Sequence, residues 1–266
     1  MCLLSAAVTM MAMGSHAGAP TAKTAKGQSK QRAKAERDTI PYVINAEGDT
    51  TFLEVAPDKR QGRLTEEDFR EVASELGVDV AAIKAVVEIE AGRTHNGFHA
   101  EGKPLINFDL SMFRHFARIN KINLGRYTRS HAVVFARPNS ARYGGQQAAQ
   151  QARLDAARTI HDLTAIQGTF WGMFQIGGFN WKKCGAESPE EFVRLMSRSE
   201  RDQLELFAKF ITSTGLLKYL KAHNWSAFAR GYNGTSYASR GYHTRLASAY
   251  ARFKAQEKKQ DAEAGK

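Results

Sequence analysis

The feature that most constrains this chain is a succession of helix starts and stops that begins at residue 63. Thr65 precedes Glu66, Glu67 and Asp68, a capping residue followed by acids at the positive end of the helix dipole, and Gly77 supplies the stop. Asp79 opens a second helix that runs to about Ala91 and ends at Gly92. Further helices are expected over 110–118, from Gln146 to about Leu163, after Ser188-Pro189, after Ser199, from Asn224 to Tyr232, and over about 240–256. Between them, residues 93–109 read as a small hairpin turning at Glu101-Gly102, and 125–145 as irregular and basic. Gly168–Asn180 is aromatic and glycine-rich, with the character of a buried helix in its middle. The pattern predicts a mainly α (α+β) domain spanning 63–253 that carries a small β-hairpin, followed by a charged tail at 254–266.

The N-terminal quarter reads differently. Leu3–Met13 is an apolar run of signal-peptide length, and Ala17-Gly18-Ala19 has the form of a cleavage site. The positive n-region is missing, so residues 1–19 are a signal peptide read from a displaced start or a flexible apolar leader. The run is too short for a bilayer anchor. Residues 20–38 hold no large apolar residue and form a basic linker. Tyr42-Val43-Ile44 and Phe52-Leu53-Glu54-Val55 flank a turn at Glu47-Gly48-Asp49, a short hairpin within the 20–62 segment.

The formal charge is +11, of which the linker carries +4 and residues 252–266 carry +2, so the body keeps about +5 of its own. A polyanionic partner follows, whether nucleic acid, a membrane surface or an acidic cell-wall polymer. The basic residues are interspersed with acids and no DNA-binding motif is visible, which disfavours nucleic acid. The cysteines are Cys2 and Cys184, and no Cys/His spacing suggests a zinc site. The fold must stand on its core, and no metal or organic cofactor is implied.

One carboxylate stands out by position. Side chains on a helix advance about 100° per residue, so Ile83, Val86, Val87 and Glu90 share a stripe, whereas Lys84 and Glu88 lie four apart on the flank, spaced to pair in water. Glu90 thus points along the apolar face in the last helical turn. Desolvation and the negative dipole end both raise a carboxyl pKa there. A carboxylic acid protonated near neutrality is what glycosidic cleavage requires of its proton donor. A structural ion pair with an arginine would fit the same pattern.

Three ordered segments bear on that choice: Val87-Glu88-Ile89-Glu90-Ala91-Gly92, then Gly168-Thr169-Phe170-Trp171-Gly172-Met173-Phe174-Gln175-Ile176-Gly177-Gly178-Phe179-Asn180, then Phe228-Ala229-Arg230-Gly231-Tyr232-Asn233-Gly234-Thr235-Ser236-Tyr237. Together they resemble the N-acetylmuramidases of phage endolysins and bacterial lytic enzymes, within the lysozyme-like superfamily, over about 65–253. The resemblance implies a lysozyme-like helical domain that hydrolyses the β-1,4 bond between N-acetylmuramic acid and N-acetylglucosamine in peptidoglycan. Glu90 falls at the family's catalytic glutamate. Gln175 and Asn233 would bind sugar hydroxyls or N-acetyl groups, Tyr232 would orient Glu90, and Trp171 and Phe174 are expected along the cleft, although a core would also hold them.

Two departures stand out. Phe108-Asp109-Leu110-Ser111 replaces a Phe-Glu-Arg-His-like stretch, which leaves Asp109 as a second, shortened candidate acid. Phe170 replaces a small hydroxyl residue before the Trp-Gly, where it would narrow the cleft or repack the core beneath it. A lytic transglycosylase that closes 1,6-anhydro ends shares the same acid, and a non-catalytic peptidoglycan-binding module shares the same charge. The leader pattern and the charge add the expectation of an exported, monomeric enzyme acting at the bacterial cell wall, its basic surface drawn to anionic wall or membrane.

Overall fold

The structure, a computed structural model, describes residues 42–44, 50–52, 63–91, 96–136 and 147–264. The signal-peptide and linker readings for 1–38, the stop at Gly92 and the irregular stretch 137–145 lie outside the described residues. Strands β1 (Tyr42–Ile44) and β2 (Thr50–Phe52) pair antiparallel, Tyr42 opposite Phe52, in a separate unit that ends at Arg60.

The main unit begins with α1 (Glu66–Leu76). Its start is a capping box: Thr65 Oγ1 accepts from the Asp68 amide at 3.3 Å and the Asp68 carboxylate accepts from the Thr65 amide at 2.7 Å. Gly77 closes the helix at φ 63°, a left-handed conformation that side chains disfavour. Next comes α2 (Val80–Ala91), in which Ala81, Ala82, Ile83, Ala85, Val86 and Val87 are all fully buried. Asp79 stands at its start, but its carboxylate turns away from the helix. It accepts from Tyr250 at 2.9 Å and Lys254 at 3.0 Å, and meets His223 Nε2 at 3.0 Å.

The hairpin β3 (Phe98–Ala100) and β4 (Lys103–Pro104) follows, turning at Gly102. A second sheet joins β5 (Ile106–Phe108), β6 (Thr169–Trp171) and β7 (Ile176–Gly177), with Asn107 opposite Phe170 and Phe170 opposite Gly177. Between β5 and β6 lie α3 (Leu110–Ile119), the short α4 (Ala132–Phe135), α5 (Gln147–Ile160) and α6 (Asp162–Gln167). After β7 a 3₁₀ turn, Gly178–Cys184, leads to α7 (Pro189–Met196), α8 (Glu200–Ser213), α9 (Leu217–Lys221), α10 (Trp225–Asn233) and α11 (Tyr242–Ala264). Ser188, Ser199 and Asn224 cap their helices as the residue pattern predicts, accepting from the amides of Glu191, Asp202 and Ala227 at 3.0–3.1 Å.

Three local expectations fail. Gly168–Asn180 is not helical in its middle: it is two strands joined by a tight turn, with Gly172 at φ 69° and Gln175 at φ 48°. Every residue of β6 is buried, so no alternation marks it as a strand. Lys84 and Glu88 do not pair. Lys84 reaches Glu66 of α1 at 2.5 Å and Glu88 is held by Arg252 of α11. Residues 254–264 continue α11 rather than forming a separate tail, supported by ion pairs at three- and four-residue spacing, Lys254–Glu257 and Lys259–Glu263.

One buried side chain ties the pieces that frame the acid. Gln203 of α8 is fully buried; its amide nitrogen donates to the carbonyls of Gly97 (3.2 Å) and Met196 (2.8 Å), and its oxygen accepts from the Met173 amide (2.8 Å). A Cβ at Gly97 or Gly172 would sit 2.6 or 2.7 Å from that oxygen, so both loops must be glycine to approach it. Gln203→Leu leaves the Met173 amide and the Met196 carbonyl unpaired, while the Gly97 carbonyl keeps the Leu105 amide at 2.8 Å, and is expected to cost about 3 kcal/mol in urea unfolding. A loss near zero would show that these loops are held by other contacts.

Candidate active site

Glu90 occupies the last turn of α2, is 6% exposed, and lines a cavity of about 40 Å³. α2 must bury its apolar stripe against the core, and Glu90 rides inward on that stripe. From the end of α10, the Asn233 amide donates to Glu90 Oε1 at 3.3 Å. Beside it, the Tyr232 hydroxyl donates to the Phe174 carbonyl at 2.7 Å, which fixes α10 against the β6–β7 turn. Tyr232 is packed by Phe207, Phe210 and Phe228, and Phe174 stacks on Phe207 with centroids 4.3 Å apart. Gln175, in its left-handed conformation, folds its amide nitrogen back onto the Gly172 carbonyl at 2.8 Å.

The cavity therefore gathers Glu90, Gln175, Tyr232 and Asn233 with Phe174 from three separate stretches of chain, and adds Phe170, Ile176, Phe210 and Asn180. Phe170 faces it from β6, so the departure from a small hydroxyl residue puts an aromatic wall beside the acid. Two expected residues lie elsewhere. Trp171 is 2% exposed, donates its indole N–H to the Ile166 carbonyl at 3.2 Å and packs edge-on to Phe192, which makes it a core residue. Asp109 is corrected to the N-cap of α3: its carboxylate accepts from the amides of Ser111 and Met112 at 2.8 and 3.0 Å and from the Ser111 hydroxyl, and it lines no part of the cavity. Shortening Glu to Asp suits capping, because a short side chain reaches back to the first free amides.

Burial pushes the Glu90 carboxyl up to about 7, against the smaller opposing pulls of the Asn233 hydrogen bond and the positive charge of Arg245. The same surroundings hold the Tyr232 hydroxyl well above its usual range, by burial first and then by the charge of Glu90. Arg245 stands at 4.6 Å over the ring of Tyr242, a buried residue of α11 whose hydroxyl is likewise raised by burial and by Glu90. Asn180, Phe210 and Arg245 were not singled out from the residues. Asn180 closes the glycine-rich segment, but only the β6–β7 turn and the 3₁₀ turn after it bring that position to α2. No group of three or more His, Cys, Asp or Glu among the described residues could hold a metal ion. A larger cavity of about 480 Å³, between the β3–β4 hairpin and the start of α8, shares no lining residue with that of Glu90.

The pattern that defines N-acetylmuramidases matches residues 79–254, which takes in all of α2, both sheets and the Tyr-Asn end of α10. The chain belongs to the N-acetylmuramidase family. It is similar to the crystal structure of Burkholderia AP3 phage endolysin, with 35% identity and a TM-score of 0.62 over 75% of this chain and 73% of that one. No curated protein matches it. This muramidase is a peptidoglycan-degrading glycoside hydrolase with a mainly helical, lysozyme-like α+β fold. No helix of the described residues is long and apolar enough to cross a membrane.

The raised pKa of Glu90 has a consequence for stability. The folded muramidase keeps a proton that the unfolded chain gives up near 4.5, so Glu90 costs nothing below that pH, and stability falls as pH rises toward and through 7. Glu90→Gln cannot ionise. The variant is expected to match the wild type in denaturant unfolding at pH 4 and to exceed it by roughly 3 kcal/mol above pH 8, at about 1.4 kcal/mol per pH unit. Equal stability at both pH values would place the carboxylate in water.

Proposed function

We propose that Glu90 is the single general acid of this muramidase, and that it hydrolyses the β-1,4 bond between N-acetylmuramic acid and N-acetylglucosamine. The observation that carries the reading is a buried carboxyl, pushed up to about 7, on the wall of a cavity whose other described lining residues include no carboxylate. At neutral pH a large share of such a group is protonated. It can give that proton to the bridging oxygen as the bond breaks and charge builds on the sugar ring. Asn233 holds the acid in place, Gln175 presents its amide oxygen to the sugar, and Tyr232 anchors the turn that carries Phe174 and Gln175. With no second carboxylate among the described lining residues, water or a group of the substrate itself meets the oxocarbenium-like centre.

The remaining features follow from charge and sequence. The basic body and the 20–62 segment hold a monomeric enzyme on anionic wall or membrane, an attraction that weakens as salt rises. Residues 1–19 direct export, which brings the enzyme to its wall substrate.

Lysis of peptidoglycan by Glu90→Gln, followed by turbidity or zymogram, is expected to fall about 10³-fold or more with wall binding retained. Glu88→Gln, which removes only the partner of Arg252 on the outer flank, stays active. Wild-type turnover should decline as pH rises through about 7, one proton being lost. Undiminished lysis by Glu90→Gln, or a rate that climbs above pH 7, would overturn the assignment. Products lighter by one water throughout would make the enzyme a lytic transglycosylase instead.

A further inference from the structure

Asn180 opens no contact of its own, and that is what distinguishes it. It sits in the 3₁₀ turn after β7, is 7% exposed, and lines the cavity of Glu90. Its side-chain amide makes no hydrogen bond to any described residue, whereas the other cavity amides are committed: Asn233 to Glu90, and the Gln175 nitrogen to Gly172. The amide is not among the described polar atoms sealed from solvent without a partner, so it opens onto the cavity, where it is available to a ligand beside the reacting group. The place is also tightly specified. A Cβ on Gly178 would fall 2.0 Å from the Ile166 carbonyl oxygen and one on Gly177 2.3 Å from the Phe179 ring, so the backbone that delivers Asn180 has one course.

The cavity that Asn180 lines has room for a small polar ligand. About 40 Å³ of the cavity is room for water, and a bound water needs two to four polar partners. The Asn180 amide and the Glu90 carboxyl supply two. We propose that Asn180 is a positioning residue that holds the attacking water against Glu90, and so determines that the strand is hydrolysed and not closed into a 1,6-anhydro ring.

This rests on Glu90 as the acid. In the first step the bond from C1 of the muramic acid to the bridging oxygen breaks, and that oxygen takes the Glu90 proton. In the second, the water oxygen bonds to C1 and its proton passes to the emptied Glu90 carboxylate, restoring the acid. The competing second step is attack by the O6 hydroxyl of the same sugar, whose proton goes to the same carboxylate. Asn180 favours the first competitor by holding it in reach.

The test compares wild type, Asn180→Leu, Asn180→Ser and Glu90→Gln on purified peptidoglycan sacculi, with circular dichroism for folding, rates for kcat and KM, and mass spectrometry of the released muropeptides. Asn180→Leu removes the amide without changing bulk. Its turnover is expected to fall roughly 10- to 100-fold, the scale of a misplaced reacting group, with KM unchanged and the 1,6-anhydro share of products raised. Asn180→Ser, which keeps a hydroxyl at the water, should fall between, and it decides the matter if the leucine variant does not fold. An unchanged product split overturns the proposal, whether the rate falls or not, and so does a change confined to KM. Persistent lysis by Glu90→Gln instead overturns the acid itself, and wild-type products that are all 1,6-anhydro overturn both.

Discussion

A carboxyl group brought out of water on the inner face of a helix is the constraint around which this muramidase is arranged. α2 carries alanine, isoleucine and valine into the core along its length and ends on Glu90. A charged carboxylate there would lack solvent, and the last helical turn opposes negative charge as well. The protein meets that cost by keeping the proton on, with one hydrogen bond from Asn233 and the positive charge of Arg245 to moderate it. The proton that the fold forces onto Glu90 is the proton a glycosidic oxygen needs.

The surrounding architecture serves to hold that carboxyl at a defined opening. Gln203 draws the loop after α2, the end of α7 and the β6–β7 turn to a single amide. Tyr232 pins the same turn from the other side through the Phe174 carbonyl. Asp79, at the far end of α2, gathers Tyr250, Lys254 and His223, and its carboxyl lies below the usual range because the Lys254 hydrogen bond outweighs burial. α2 is thus fixed at both ends, and α11 lies along it.

What could be read from the residues alone was whatever depends on local spacing. The distinction between Glu88 and Glu90 is a matter of helical phase, and the caps at Thr65, Ser188, Ser199 and Asn224 need only a side chain two or three residues from an open amide. Tertiary choices were less legible. Lys84 and Glu88 satisfy the local pairing rule but each finds a partner on another helix. The β6 strand is buried on both faces, so Thr169-Phe170-Trp171 offers no alternating pattern. Trp171 and Asp109 have the right chemistry for a cleft, yet one is claimed by the core and the other by a helix end. Asn180 could be recognised only after folding, because its meaning lies in the partner it does not have.

Catalysis by this muramidase turns on the protonation of one side chain, which carbon-13 NMR can follow directly. With glutamate labelled at the side-chain carboxyl and Glu90→Gln used to assign the resonance, the Glu90 signal should titrate near 7. A Glu90 resonance that titrates below 5 would contradict the buried acid and the mechanism drawn from it.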